Sequence, residues 1–129
     1  LPVDVAKAAI AFAKAERARG HQLADDWLNN GPSQLKDVLP GGWKERLQPA
    51  FSGDALTLTA LGRVDLLKSK LFALCDRGTD LADCVAIGPS VPELEDAQAW
   101  IALQDGNPFW PEHVQRTLDD LRERLGHGL

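Results

Sequence analysis

Apolar residues recur at helical spacing along most of the chain and at strand spacing over one short stretch. In residues 3–19, Ala6, Ala9, Ile10 and Ala13 share one face of an alanine-rich segment, and Gly20 is placed to stop the helix. Residues 63–76 carry Val64, Leu67, Leu71, Leu74 and Cys75 at offsets of three, four and seven, the stripe of a buried helix face. Gly78 ends that helix, and Thr79 is the expected N-cap of the next, whose first turn holds Asp80 and Asp83. Ser90-Val91-Pro92-Glu93 opens a third helix as a capping box, with Leu94, Ala97 and Ile101 facing inward. Residues 111–125 bury Val114, Leu118, Leu121 and Leu125 and stop at Gly126.

Strand periodicity is confined to residues 48–61, where Leu56, Leu58 and Ala60 alternate with Thr57 and Thr59 after a turn at Ser52-Gly53-Asp54. Residues 47–51 are the natural partner for a short hairpin. Two strands alone are marginal, so the pair needs further strands or the helices beside it. Between His21 and Arg46 the periodicity breaks at Asn29-Asn30-Gly31-Pro32 and Pro40-Gly41-Gly42. That segment reads as a long loop with a helical turn, pinned to the body by Trp27, Leu28, Leu35, Val38, Leu39 and Trp43. The pattern defines an α+β protein, mostly helical. With no repeat and no linker-like tract, residues 1–129 are expected to form a single compact unit.

Composition narrows the function classes. At 129 residues, 44% hydrophobic and 26% charged, the chain can bury a true core. A formal net charge of -5 lacks the cationic excess of a general nucleic-acid scaffold. Cys75 and Cys84 have neither Cys-x-x-Cys spacing nor a nearby histidine, and read as buried thiols of a reducing compartment. No apolar run approaches the roughly 20 residues of a membrane span, and no signal-peptide pattern is visible, so a cytoplasmic protein without membrane contact is expected.

Most candidate chemistry has a bland explanation. His21, His113 and His127 are too scattered for a metal site, and Gly41-Gly42 lacks the continuation of a phosphate-binding loop. The four tryptophans, Trp27, Trp43, Trp100 and Trp110, have no interleaved basic residues and are expected to anchor core and loops rather than stack bases. Asp25-Asp26 and Asp119-Asp120 read as solvated faces or helix pairs such as Arg116 with Asp120. No nucleophile with a paired histidine suggests a hydrolase.

Residues 67–84 are different, because an apolar helix carrying Lys70 and Arg77 runs through one glycine into Asp80 and Asp83. Both charge signs are thereby brought to one corner. Lys70 and Arg77 are suited to phosphate, and the carboxylates to Mg²⁺ or to tuning the lysine. Against this, first-turn carboxylates and a cation near a helix C-terminus also serve the helix dipole.

The order of these features resembles the C-terminal part of a bacterial nucleotidyltransferase-fold family related to AbiEii-type toxins of toxin-antitoxin systems. The resemblance rests on Trp27-Leu28-Asn29, Leu39-Pro40 with Gly42-Trp43, the segment 67–84, and Pro92-Glu93-Leu94 with Ala97 and Trp100. Its sharpest motif is Lys70, Ala73-Leu74, Arg77, Asp80 and Asp83. It implies the helical C-terminal portion of a nucleotidyltransferase-like fold, with Lys70 and Arg77 binding nucleotide phosphates. Asp80 or Asp83 would complete the acidic site or orient Lys70, so Lys70, Asp80 and Asp83 are the implied catalytic residues.

The family's Gly-Ser turn and Asp-x-Asp strand have no counterpart here: Ser52-Gly53 has the reverse order, and Asp-x-Asp is absent. Thr79 also stands where a basic residue often precedes the first Asp. With no methionine and an opening Leu1-Pro2, the chain is expected to be a fragment lacking upstream catalytic strands and inactive alone. Mg²⁺ and a nucleoside triphosphate would be cofactors of the parent, with none held by this chain and no metal ligand assigned in it. An RNA or protein acceptor, an antitoxin partner and a homodimer complete the implied partners. The alternative is a non-catalytic helical binding or regulatory module in which Lys70 and Arg77 form structural salt links.

Overall fold

Alanine-rich sequence, a glycine stop and a returning tryptophan account for the first part of the structure. The computed structural model describes residues 2–28, 39–54 and 57–128, and groups the chain into units 1–38 and 39–129. In the first, helix α1 (Val3–Ala18) ends at Arg19 and Gly20, where Gly20 takes a left-handed φ of 88°. The Trp27 indole N–H donates to the Ala9 carbonyl at 2.8 Å, and its ring lies 5.5 Å from that of Phe12. Arg17 fastens the same return, donating to the Leu23 carbonyl and to Asp25, each at 2.6 Å. Ala9 and Ala13 are buried, whereas Ile10, expected on that face, is exposed. Small side chains let the returning segment approach α1 closely, and Ile10 lies outside the strip it covers. Leu35 and Val38, expected as loop anchors, lie outside the described residues.

The second unit is α+β and mostly helical. A 3-10 turn (Trp43–Arg46) leads into strand β1 (Gln48–Ser52), which pairs antiparallel with β2 (Thr57–Ala60). The predicted hairpin is present, while Leu56 falls outside the described residues. Register runs Gln48 with Ala60, Pro49 with Thr59, then slips so that Phe51 faces Leu58 and Ser52 faces Thr57. Pro49 has no N–H to donate, which suits a strand beside an irregularity rather than a central one. Among the described residues the sheet has no third strand. It contributes little to the core: Phe51 remains 53% exposed.

Helices α2 (Arg63–Arg77), α3 (Leu81–Ile87), α4 (Val91–Ala102) and α5 (Trp110–Leu125) build that core. Helix α2 packs on the other three, α4 on α5, and α3 on α5. Leu67, Leu71, Leu74 and Cys75 interlock with Cys84, Leu94, Ala97, Ile101, Trp110, Val114, Leu118 and Leu121, as their spacing predicts. Val64 departs from its expected stripe and is 43% exposed, while its neighbours Arg63 and Asp65 make ion pairs to Glu93 and Arg46. The Ser90 side chain accepts from the Glu93 N–H and the Glu93 carboxylate from the Ser90 N–H, completing the predicted capping box.

Aromatic anchors hold α4 and α5 at the end where they join. Trp110 is buried and donates its indole N–H to the Ile101 carbonyl at 2.9 Å. Phe72 sits edge-on to both Trp100 and Trp110, at 6.2 and 6.0 Å between centroids. Trp27, Trp100 and Trp110 therefore pack the fold, whereas Trp43 is half-buried with Lys44 Nζ 5.6 Å from its ring centroid. Among the described residues no helix is long and apolar enough to cross a membrane.

Candidate functional site: a lysine held by two aspartates

Two left-handed residues make the α2–α3 corner. Gly78 closes α2 with φ 70°, its N–H donating to the Leu74 carbonyl at 3.0 Å. Asp80, with φ 68°, is the one non-glycine residue with positive φ among the described residues. Aspartate tolerates that region better than most side chains, at a cost of roughly 1 kcal/mol. This corrects the expectation that Thr79 caps the next helix: α3 begins at Leu81, and Asp80 occupies the capping position without using its side chain as a cap. Only Asp83 lies in the first turn of α3.

The Asp80 carboxylate turns instead toward Lys70. Lys70 Nζ lies 2.9 Å from Asp83 Oδ2 and 3.7 Å from Asp80 Oδ2, so one carboxylate is hydrogen-bonded and the other is an ion-pair neighbour. The hydrogen bond to Asp83, reinforced by both negative charges, raises the Lys70 pKa above its ordinary value despite partial burial. Lys70 therefore stays cationic, with its side chain 31% exposed and ammonium donors beyond the one held by Asp83.

Cys84 fills the corner from inside. It is fully buried, and desolvation first, then Asp80 and Asp83, pushes its thiol up to about 11. Cys75 is raised to about 12 by burial and by Cys84. Both are free thiols in the neutral form, as expected for small core residues.

Of the four residues singled out in the sequence, the structure brings together Lys70, Asp80 and Asp83 and leaves Arg77 apart. Arg77 has Asp76 as its ion-pair neighbour among the described residues, at 3.9 Å. Seven residues place Lys70 and Arg77 on similar faces of α2, but two turns apart. The donor set does not fit Mg²⁺: both carboxylates face one ammonium, and among the described residues no group of three His, Cys, Asp or Glu side chains could hold a metal. What the corner can do by itself is present a fixed, charged amine to an anionic or acceptor group.

Sequence reasoning missed the other ionic contacts of α2. Asp65 is fully buried, and Arg46 grips it with Nε at 2.8 Å and Nη2 at 2.7 Å. Arg46 also donates to the Gly41 carbonyl at 2.7 Å, tying the glycine turn to the same clamp. Arg63 donates to both Glu93 oxygens, at 2.8 and 3.1 Å, and to the Ile87 carbonyl at 3.2 Å. That guanidinium, helped by the Ser90 N–H, depresses Glu93 to about 2. Lys68 reaches Asp96 at 3.1 Å. These partners lie 19 to 30 residues apart for Asp65 and Glu93, too far for any local spacing rule to reveal.

Histidines are used as struts. His113 Nε2 lies 2.7 Å from the Cys75 carbonyl and His127 Nε2 2.8 Å from the Pro89 carbonyl. Among the described residues α5 carries the ion pair Arg122 with Asp119, at 2.7 Å, and not the expected Arg116 with Asp120. Comparison with protein-family models, curated proteins and solved structures finds no match to this chain.

Proposed function

We propose that this chain is the helical C-terminal half of a metal-dependent nucleotidyltransferase, inactive alone, in which Lys70 contacts the phosphates of a nucleoside triphosphate. The observation that carries the reading is the Lys70–Asp83–Asp80 arrangement: a lysine kept charged, held in place by Asp83, and still open to a ligand. Of the two roles open to the aspartates, orienting Lys70 is the one their geometry favours. Lys70 would stabilise the negative charge that develops on the phosphates as the nucleotidyl group is transferred and pyrophosphate leaves. Arg77 would stand at most at the edge of such a site. Mg²⁺ and its ligands belong, on this reading, to other parts of the parent protein, as does recognition of an RNA or protein acceptor. The toxin-like relationship, an antitoxin partner and a homodimer remain parts of the same proposal and rest on the sequence resemblance alone.

The test is a calorimetric titration of the full natural protein with a nucleoside triphosphate, with and without Mg²⁺, against Lys70→Ala. The proposal expects saturable binding that falls at least about tenfold in the variant, the worth of a charge-assisted phosphate contact. Equal affinity in the two proteins would overturn it.

A second reading has its own observation. Lys70 faces two carboxylates, a net charge of about -1 that by itself repels phosphate. Lys70, Lys68, Asp65 and Arg63 also join α2 to neighbouring segments through ion pairs. A non-catalytic helical binding or regulatory module, with Lys70 as one structural strut among four, accounts for those contacts.

A further inference from the structure

A two-stranded sheet is marginal in water without further strands or a covering layer, yet β1 is exposed along its whole length and in β2 only Leu58 is half-buried. Its two edges differ. β1 contains Pro49 and the slip at Ala50, two features that spoil an edge for further pairing. β2 has neither, carries no charged residue, and has no backbone hydrogen bond to a described segment other than β1. Residues 47–61 hold a single charge, Asp54, in a chain whose net charge is -5. Two copies that repel elsewhere therefore meet here at little electrostatic cost.

We propose that the β2 edges of two copies pair antiparallel about a two-fold axis, Leu58 facing Leu58 and Thr57 facing Thr59, to form one four-stranded sheet. Residues opposite one another on adjacent strands point to the same face, so Phe51 lies beside Leu58, its register partner. A two-fold axis normal to the sheet keeps that face common to both copies. The row across the sheet then reads Phe51, Leu58, Leu58, Phe51, and Phe51, 53% exposed in the single chain, becomes the end of a continuous apolar strip. This symmetry selects a second copy: an unrelated strand would satisfy the edge hydrogen bonds but would extend the strip only with a large apolar residue at the same register. The pairing is independent of the nucleotidyltransferase reading, which implies a homodimer without naming its surface. So short an edge makes a small interface, and the expected Kd is about 0.1 mM.

The test is sedimentation equilibrium of the 129-residue chain. Its weight-average mass should rise at least about 1.5-fold above the monomer value by about 0.5 mM. Over the same concentrations, the backbone amide resonances of ¹⁵N-labelled protein that move should be those of residues 57–60, a reading that needs no variant. Leu58→Lys and Leu58→Glu each place like charges opposite one another across the axis and should stay monomeric, while an equal mixture of the two should regain association. The proposal is overturned if the natural chain keeps its monomer mass, as it would if this edge served a strand of another protein. It is equally overturned if the moving amides lie elsewhere, or if two variants that each keep the native amide spectrum fail to associate when mixed.

Discussion

A charged side chain in this protein is defined by what faces it, and Glu93 shows the consequence most directly. Its pKa is lowered from 4.5 to about 2 because Arg63 and the Ser90 N–H stabilise the carboxylate. A depressed acid contributes stability that is fully present above about pH 4.5 and is lost as pH falls toward 2. Thermal midpoints measured between pH 5 and 2 should therefore fall, and Arg63→Gln should flatten that fall while lowering the midpoint at pH 7. An unchanged acid slope in the variant would refute the assignment. The thiols behave oppositely. With Cys84 at about 11 and Cys75 at about 12, both buried, alkylation of the native protein at pH 8 should be at least about a hundredfold slower than after denaturation. Rapid native labelling of either would contradict their placement. Their burial is legible from the sequence because cysteine behaves as a small hydrophobe. The burial of Asp65 is not, since the guanidinium that makes it tolerable comes from a residue 19 positions earlier.

At the scale of elements, the Arg46–Asp65 clamp determines how the 3-10 turn meets α2. Gly62 permits the approach: a Cβ there would lie 2.8 Å from the Arg46 carbonyl oxygen. Arg46→Ala leaves a buried carboxylate unpaired and should lower the thermal midpoint by about 5 °C or more. Adding Asp65→Asn should recover part of that loss, because the orphaned group is then neutral. If the double variant is no better than the single one, the charge pair is not what holds this junction. Helices α2, α4 and α5 are legible because their apolar offsets match a 3.6-residue turn, and the capping box marks the start of α4. The hairpin is legible from alternation and a Ser-Gly-Asp turn, but its slip at Ala50 is not, since alternation carries no information on pairing register. The start of α3 is misjudged for a physical reason. Threonine is a favourable cap, yet Asp80 adopts a left-handed backbone and uses its carboxylate on Lys70 instead.

For the molecule as a whole, a bundle of α2 to α5 carries the stability of the second unit, and its ionic contacts lie around that core. Leu118, fully buried, should cost about 2–5 kcal/mol on change to alanine, read as a drop in urea midpoint with unchanged slope. A cost below about 1 kcal/mol would mean the bundle is not packed as described. The candidate site is partly legible in the sequence: spacing brings Lys70, Asp80 and Asp83 to one corner and sets Arg77 two turns along α2, but it leaves open whether the aspartates orient the lysine or form a metal site, since that depends on where their carboxylates turn.

If Lys70 serves a ligand and not only the fold, both roles can be read on one sample. Lys70→Ala in the full natural protein should lose at least about tenfold in nucleoside triphosphate affinity while its thermal midpoint falls by no more than about 5 °C, the range of a partly exposed ion pair. A larger fall in the midpoint with triphosphate affinity unchanged would contradict the ligand role and leave Lys70 as a strut between α2 and α3.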